Sequence, residues 1–200
     1  MKIIINENQL KLLLEQEGFD ELTVKVSERY PDSVYLMRFI SDFVKKSGCQ
    51  KINIESLKHG AMGLSLVDRV VINEKSLDLP LSNFLYVLFH EVAHQYQYKK
   101  YGIDKMFGIY NGDVSVDEGA KFMKYLENVA DDFAIRKLRE INKLFDDKIK
   151  INSNISKTYE NIPIDYYKNL INIFIKKIKD SNYSSKEDIS EILYNYVKNG

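Results

Sequence analysis

Residues 80–102 read PLSNFLYVLFHEVAHQYQYKKYG, with His90, Glu91 and His94 at their centre. Pro80 and Ser82 announce a helix that runs to about Lys100, and Gly102 stops it. Lys99 and Lys100 fall in its last turn, where the helix dipole favours cations. Within such a helix the four-residue step from His90 to His94 puts both imidazoles on one face. Two imidazoles so placed can share one zinc ion, which accepts nitrogen ligands and makes little geometric demand of its own. Glu91 follows the first histidine, and in this arrangement its carboxylate reaches the metal-bound water rather than the metal. Zinc lowers the pKa of that water to about 7, which makes Glu91 the candidate general base.

Two ligands hold a catalytic zinc poorly. A third protein ligand is expected, with the fourth position left for water or substrate. The chain has three histidines, so only His59 remains for an all-histidine site, and a carboxylate is the better expectation. Ser115-Val116-Asp117-Glu118 has capping-box spacing and opens a long helix to about Leu144. That helix carries Glu127-Asn128-Val129-Ala130-Asp131-Asp132-Phe133-Ala134. Glu127 and Asp131 share a face; Glu127 is the expected third ligand. Asp131 is then placed to accept a hydrogen bond from the far nitrogen of a ligating histidine, which fixes its tautomer. Ala130 and Ala134 flank that face and let the two helices approach closely. Asp113, Asp117 and Glu118 are the competing carboxylates. The plain alternative is a polar stripe on one surface helix and a solvated acidic face on another.

His90-Glu91-Val92-Ala93-His94 followed by Glu127-Asn128-Val129-Ala130-Asp131 resembles the gluzincin group of zinc peptidases. The Ala three after the ligating Glu, then Phe133-Ala134, is similar to the ImmA/IrrE-like peptidases. The resemblance covers roughly residues 52–144. It implies a small sheet ahead of the active-site helix and an intracellular endopeptidase acting on a protein or peptide, often a single regulatory protein. No helix-turn-helix partner domain is evident. Peptide deformylases also use His-Glu-x-x-His, with an upstream cysteine as third ligand. However, Ser47-Gly48-Cys49-Gln50-Lys51 lacks that family's Glu-Gly-Cys-Leu-Ser pattern, and Cys49 reads better as a small residue at a helix end.

Outward from the motif, Lys51-Ile52-Asn53-Ile54-Glu55 alternates as a half-buried strand does, and Ser65 to Asn73 reads as a second strand around Val70-Val71-Ile72. That strand is a candidate edge for pairing with an extended substrate backbone. His59 to Gly63 between them is a turn, and His59 is a candidate for the cleft rim. Gly102 to Val114 holds three glycines and reads as a loop. Upstream, Ile3 to Ile5 is a short strand, Asn6 caps a helix over Glu7–Glu17 that Gly18 ends, and a second helix covers Ser33–Lys46 up to Gly48. Downstream, Asp146 to Pro163 reads as a linker, followed by helices over Ile164–Lys179 and Ser185–Lys198. Tyr96, Tyr98, Tyr101 and Tyr110 are candidate donors to a tetrahedral oxyanion, and 14 tyrosines leave the choice open.

The expected fold class is α+β: a small mixed sheet packed on an active-site helix and a ligand helix, with flanking N- and C-terminal helices. The expected divisions are an N-terminal helical region (1–48), a zincin-like core (49–145), and a linker with C-terminal helices (146–200). Equal numbers of Lys+Arg and Asp+Glu, 29 each, argue against a nucleic-acid or anionic-membrane partner. One cysteine excludes an intrachain disulfide and fits a reducing compartment. No apolar run reaches the ~18 residues of a membrane span, so a cytoplasmic location is expected. The oligomeric state is left open. The main alternative to a peptidase is a non-catalytic binding or structural protein, such as a virion component, that retains the same fold.

Overall fold

The computed structural model describes residues 20–145, 149–151, 162–181 and 186–199. The expected strand at Ile3–Ile5, the helix over Glu7–Glu17 and most of the 146–163 linker lie outside them. Seven α-helices accompany one sheet among the described residues: α1 (Asp20–Arg29), α2 (Val34–Ser47), α3 (Leu81–Tyr101), α4 (Ile103–Asn111), α5 (Val116–Leu144), α6 (Ile164–Asp180) and α7 (Lys186–Asn199). The fold is α+β.

The alternation at Lys51–Glu55 produces β1, with Ile52 and Ile54 buried and their neighbours exposed or half-buried. The stretch expected to be one strand is two. β2 (Gly63–Ser65) turns back at Leu66 to Asp68 into β3 (Arg69–Asn73), and the Leu66 N–H donates to the Arg69 carbonyl at 2.8 Å. The turn escapes a reading by hydropathy because Leu66 is fully buried in it, packed with Leu57, Val71 and Val197. The sheet order is β1-β3-β2, with β1 parallel and β2 antiparallel to β3. The edge near the motif helix is therefore β2, and β3 is central. Val70, Val71 and Ile72 are all buried because both faces are covered. Val70 and Ile72 enter the main core with Phe84 and Leu88 of α3, while Val71 meets Val197 of α7.

Helix α3 runs through the middle of that core. Phe84, Leu85, Leu88, Phe89 and Val92 are fully buried against α1, α2, β1, β3 and the second half of α5. Ala130 and Ala134 of α5 are fully buried where the helices pack; larger side chains there would hold them apart. The α5 start is the expected capping box: Ser115 Oγ accepts from the Glu118 N–H, and the Glu118 carboxylate accepts from the Ser115 N–H.

The remaining chain departs from one expectation and adds one helix that was not foreseen, each for an identifiable reason. The expected loop after Gly102 is largely the helix α4. Gly102 and Gly112, at φ 81° and 80°, lie at its two ends, so two of the three glycines punctuate a helix instead of denying one. The helix α1 has no strong intrinsic signal, since Thr23, Val24, Val26 and Ser27 are mediocre helix formers. It is held by burial of Leu22 and Val26 and by Lys25 Nζ donating to the Ile54 carbonyl at 3.3 Å. The helix over Ser33–Lys46 is found at Val34–Ser47 and ends on Gly48 at φ 93°. Among the described residues no helix is long and apolar enough to cross a membrane.

The C-terminal helix is fastened to the sheet through Glu55. Its carboxylate accepts from Lys198 Nζ, from Tyr194 OH at 2.7 Å and from Asn53 Nδ2 at 2.8 Å. Burial alone would raise its pKa, but these donors outweigh burial and hold it at about 2, below the usual 4.5. A depressed folded-state pKa contributes stability above the unfolded pKa and loses it as pH falls toward the folded one. The wild type should therefore lose thermal stability from about pH 4.5 down to about 2 through this group. Glu55→Gln should flatten that portion of the acid profile followed by circular dichroism.

Candidate metal centre

Helical periodicity sets the site. On α3, Tyr86, His90 and His94 follow one another at four-residue steps, and on α5 Met123, Glu127 and Asp131 do the same. Where these stripes face each other, His90 Nε2 lies 3.1 Å from Glu127 Oε2 and 3.2 Å from His94 Nε2. His94 Nε2 lies 3.6 Å from Glu127 Oε1. Among the described residues, His90, His94 and Glu127 are the one group of three or more His, Cys, Asp or Glu side chains able to hold a metal ion. His90 is buried, and the other two are half-buried.

The far side of each imidazole fixes its tautomer. His90 Nδ1 is 2.8 Å from Asp131 Oδ1, a carboxylate oxygen that also accepts from Tyr86 OH. A carboxylate accepts, so the His90 Nδ1 carries the hydrogen. His94 Nδ1 is 2.8 Å from Gln97 Oε1, and Gln97 Nε2 donates to the Leu126 carbonyl at 2.8 Å. That carbonyl can only accept, so the amide oxygen must face His94, whose Nδ1 then donates. The Nε2 lone pairs of both rings are thus directed at one another and at Glu127. Three acceptor atoms then converge, an arrangement that a bound cation resolves, as does a proton on His90 Nε2 shared with Glu127.

The electrostatics of the group agree with this. Burial would lower the pKa of His90, yet its hydrogen bonds to Asp131 and Glu127 and the charges of Glu127 and Glu91 raise it to about 10. Burial pushes Glu127 up, but His94 and His90 outweigh it and hold its carboxyl below the usual range. Glu91, beside the group, goes the other way. Burial raises its pKa, and the charge of Glu127 adds to this against His90 and His94. Glu91 is pressed against the edge strand. A Cβ at position 63 would lie 2.5 Å from Glu91 Cγ and 2.6 Å from Oε1, so the glycine is what lets this carboxylate sit there.

Helix α3 is tied to the same strand beyond the motif. Gln95 Nε2 donates to Ser65 Oγ and to the Leu66 carbonyl, each at 2.6 Å, and Tyr98 OH donates to the Ser65 carbonyl at 2.9 Å. A cleft of about 310 Å³ opens between β2, α3, α4, α5 and the two C-terminal helices, with His90, Glu91, His94 and Glu127 in its wall.

The other sequence candidates separate cleanly. Asp117 pairs with Lys168 at 2.6 Å and Glu118 is spent in the capping box. Neither these nor Asp113 joins a metal-competent group among the described residues. His59 lies at the cleft wall, stacked on Tyr196 with ring centroids 4.5 Å apart. It is no part of the triad. Cys49 is buried, and its thiol donates to the Lys51 carbonyl at 3.1 Å; burial pushes the thiol pKa up. Of the tyrosines, Tyr96 packs with Phe43 and Phe133, and Tyr101 pairs with the exposed Tyr125. Tyr98 and Tyr110 line the cleft. Three contributors were missed from the sequence: Tyr86, Gln97 and Gly63. The α3 stripe contains Tyr86 four residues before His90, so that partner was within reach of helical spacing. No protein-family model, curated protein or solved structure matches the chain.

Proposed function

We propose that this chain is a zinc-dependent endopeptidase of the gluzincin kind, similar to the ImmA/IrrE-like peptidases, acting on a protein or peptide. One observation carries the reading: two imidazole nitrogens and a carboxylate converge beside the buried Glu91. The donor set suits zinc. Ligands at about 2.0–2.2 Å in a tetrahedron stand about 3.3–3.6 Å apart, and the observed separations of 3.1, 3.2 and 3.6 Å match within a few tenths of an ångström. Nitrogen and carboxylate ligands with an outer row of Asp131 and Gln97 complete the pattern expected of such a site.

Held by His90, His94 and Glu127, zinc would acidify a water molecule and polarise the scissile carbonyl. Glu91 accepts the water proton and passes it to the leaving amine. Its place in the cleft wall beside the triad lets one carboxylate both take and give the proton. Asp131 and Gln97 keep each ring in the Nδ1–H tautomer, so that Nε2 stays available. The substrate backbone is read by β2. Gly63 lies between the ladder pairs Met62–Asn73 and Leu64–Val71, so its own N–H and C=O point to the free edge. An extended peptide adding there lies along the wall that holds Glu91.

Incubation of the zinc-loaded protein with a library of unstructured peptides, followed by mass spectrometry, tests the reading. Internal cleavage should appear, vanish on removal of metal by 1,10-phenanthroline and return with added zinc. Intact peptides throughout would sink it. Gly63→Ala should push Glu91 from its place and lower hydrolysis by about 10²-fold, the cost of a misplacement near 1 Å, with zinc content unchanged. Equal activity in that variant would show that Glu91 does not depend on the close approach.

A further inference from the structure

We infer that His59, at the rim of the cleft, receives a carboxylate of the peptide substrate and so helps to set which peptides the site accepts. This deepens the peptidase reading and rests on it. His59 is held in a backbone conformation that few side chains adopt. It lies at φ 54° and Gly60 follows at 73°, in a turn closed by the Ala61 N–H donating to the Lys58 carbonyl at 3.1 Å. Histidine enters the left-handed region more readily than most residues, but such a conformation persists only where the surroundings fix it. Here they do. Asn73 Nδ2 donates to the Ala61 carbonyl at 2.6 Å and to the Leu57 carbonyl at 3.1 Å, and the Lys58 N–H donates to the Val197 carbonyl of α7 at 2.8 Å. The turn is therefore held from β3 on one side and from α7 on the other.

The ring is fixed as well. It stacks on Tyr196 with centroids 4.5 Å apart and planes 5° apart, although His59 is exposed. Neither ring nitrogen has a hydrogen-bond partner among the described residues. An imidazole carries at least one N–H in either protonation state, so the ring offers a donor. No lysine or arginine lines the cleft, and His59 is the one basic side chain of its wall outside the triad. Outside the wall, Lys177 Nζ lies 4.9 Å from the centroid of the same Tyr196 ring, and Lys58 adjoins His59 in the chain. Neither lysine pairs with a carboxylate among the described residues. Three basic side chains gathered around one tyrosine, without an acidic partner, suit an anion. The acids of the wall, Glu91 and Glu127, belong to the metal-competent end. His59 stands four residues before Gly63, against which Glu91 is pressed. Four residues span at most about 14 Å, so the carboxylate falls within about four substrate residues of the scissile amide.

The full chain carrying Glu91→Gln, with zinc added and its histidine rings labelled with ¹³C, is used so that no peptide is consumed. It is titrated with heptapeptides capped at both ends, each with one glutamate at a different position, and with their glutamine twins. The His59 ring signal, identified by its loss in His59→Asn, should shift saturably. The best glutamate peptide should bind about tenfold or more tighter than its twin, since hydrogen bonds to charged groups are about twice as strong as neutral ones. Asparagine also accepts the left-handed region, so the turn survives in His59→Asn while the preference for glutamate should disappear. A glutamine peptide with a free C-terminus that binds as well as the glutamate peptide would place a chain terminus in the same carboxylate site. Glutamate preference that depends on His59, in a wild-type chain that cuts no peptide, would keep the site and discard the peptidase. Equal binding of the twins, or a preference that persists in His59→Asn, would overturn the site even if hydrolysis is found.

Discussion

Glu127→Ala is expected to lower zinc affinity by more than about 100-fold while leaving the helix intact. The bound on that loss comes from the outer partners: removing a group that only orients a ligand costs about 10–100-fold in metal affinity. Glu127 is nearer still, with one oxygen 3.1 Å from His90 Nε2 and the other 3.6 Å from His94 Nε2. Without it two neutral imidazoles remain, one turn apart on a single helix, and neither brings charge. Alanine is the best helix former, so thermal melting of the metal-free chain should not fall. Asp131→Asn provides the graded comparison. It keeps the shape but removes the charge that holds His90, and an affinity loss of about 10–100-fold is expected. If competition with a chromogenic chelator gave the Glu127 variant wild-type affinity, the third position would have to be filled by another group.

Glu91→Gln separates holding the metal from using it. The glutamine matches the glutamate in size beneath Gly63, so the strand need not move, and the metal-competent triad is untouched. Zinc content should stay at the wild-type level while peptide hydrolysis falls about 10²–10⁴-fold, the range for losing a general base. Unaltered function in this variant, with zinc retained, would favour the rival reading, a binding or structural protein that keeps a metal for its fold.

Much of this arrangement was legible in the chain because it follows from helical spacing. His90 and His94, like Glu127 and Asp131, repeat at four residues, and both helices carry conventional boundaries: Pro80 and Gly102 for α3, Ser115 with Glu118 for α5. Such signals are local, so a single sequence holds them. The parts that were not legible depend on tertiary context. Leu66 reads as the middle of a strand because burial under α7 makes a turn residue apolar. The glycines around α4 read as a loop because their left-handed backbone, which ends helices, is not visible in residue type alone. Gly63 gives no sign of its purpose until Glu91 is placed against it from 28 positions downstream. Gln97 gains its role only when the Leu126 carbonyl dictates which way its amide faces. The cleft itself, assembled from β2 and five helices, has no local signature.

The metal content of the wild-type chain bears most directly on the central claim. The protein is purified without chelators or a metal-affinity step and analysed by inductively coupled plasma mass spectrometry. One zinc per chain is expected, falling sharply in Glu127→Ala and unchanged in Glu91→Gln. A wild-type stoichiometry well below one that does not rise on incubation with zinc and desalting would contradict it.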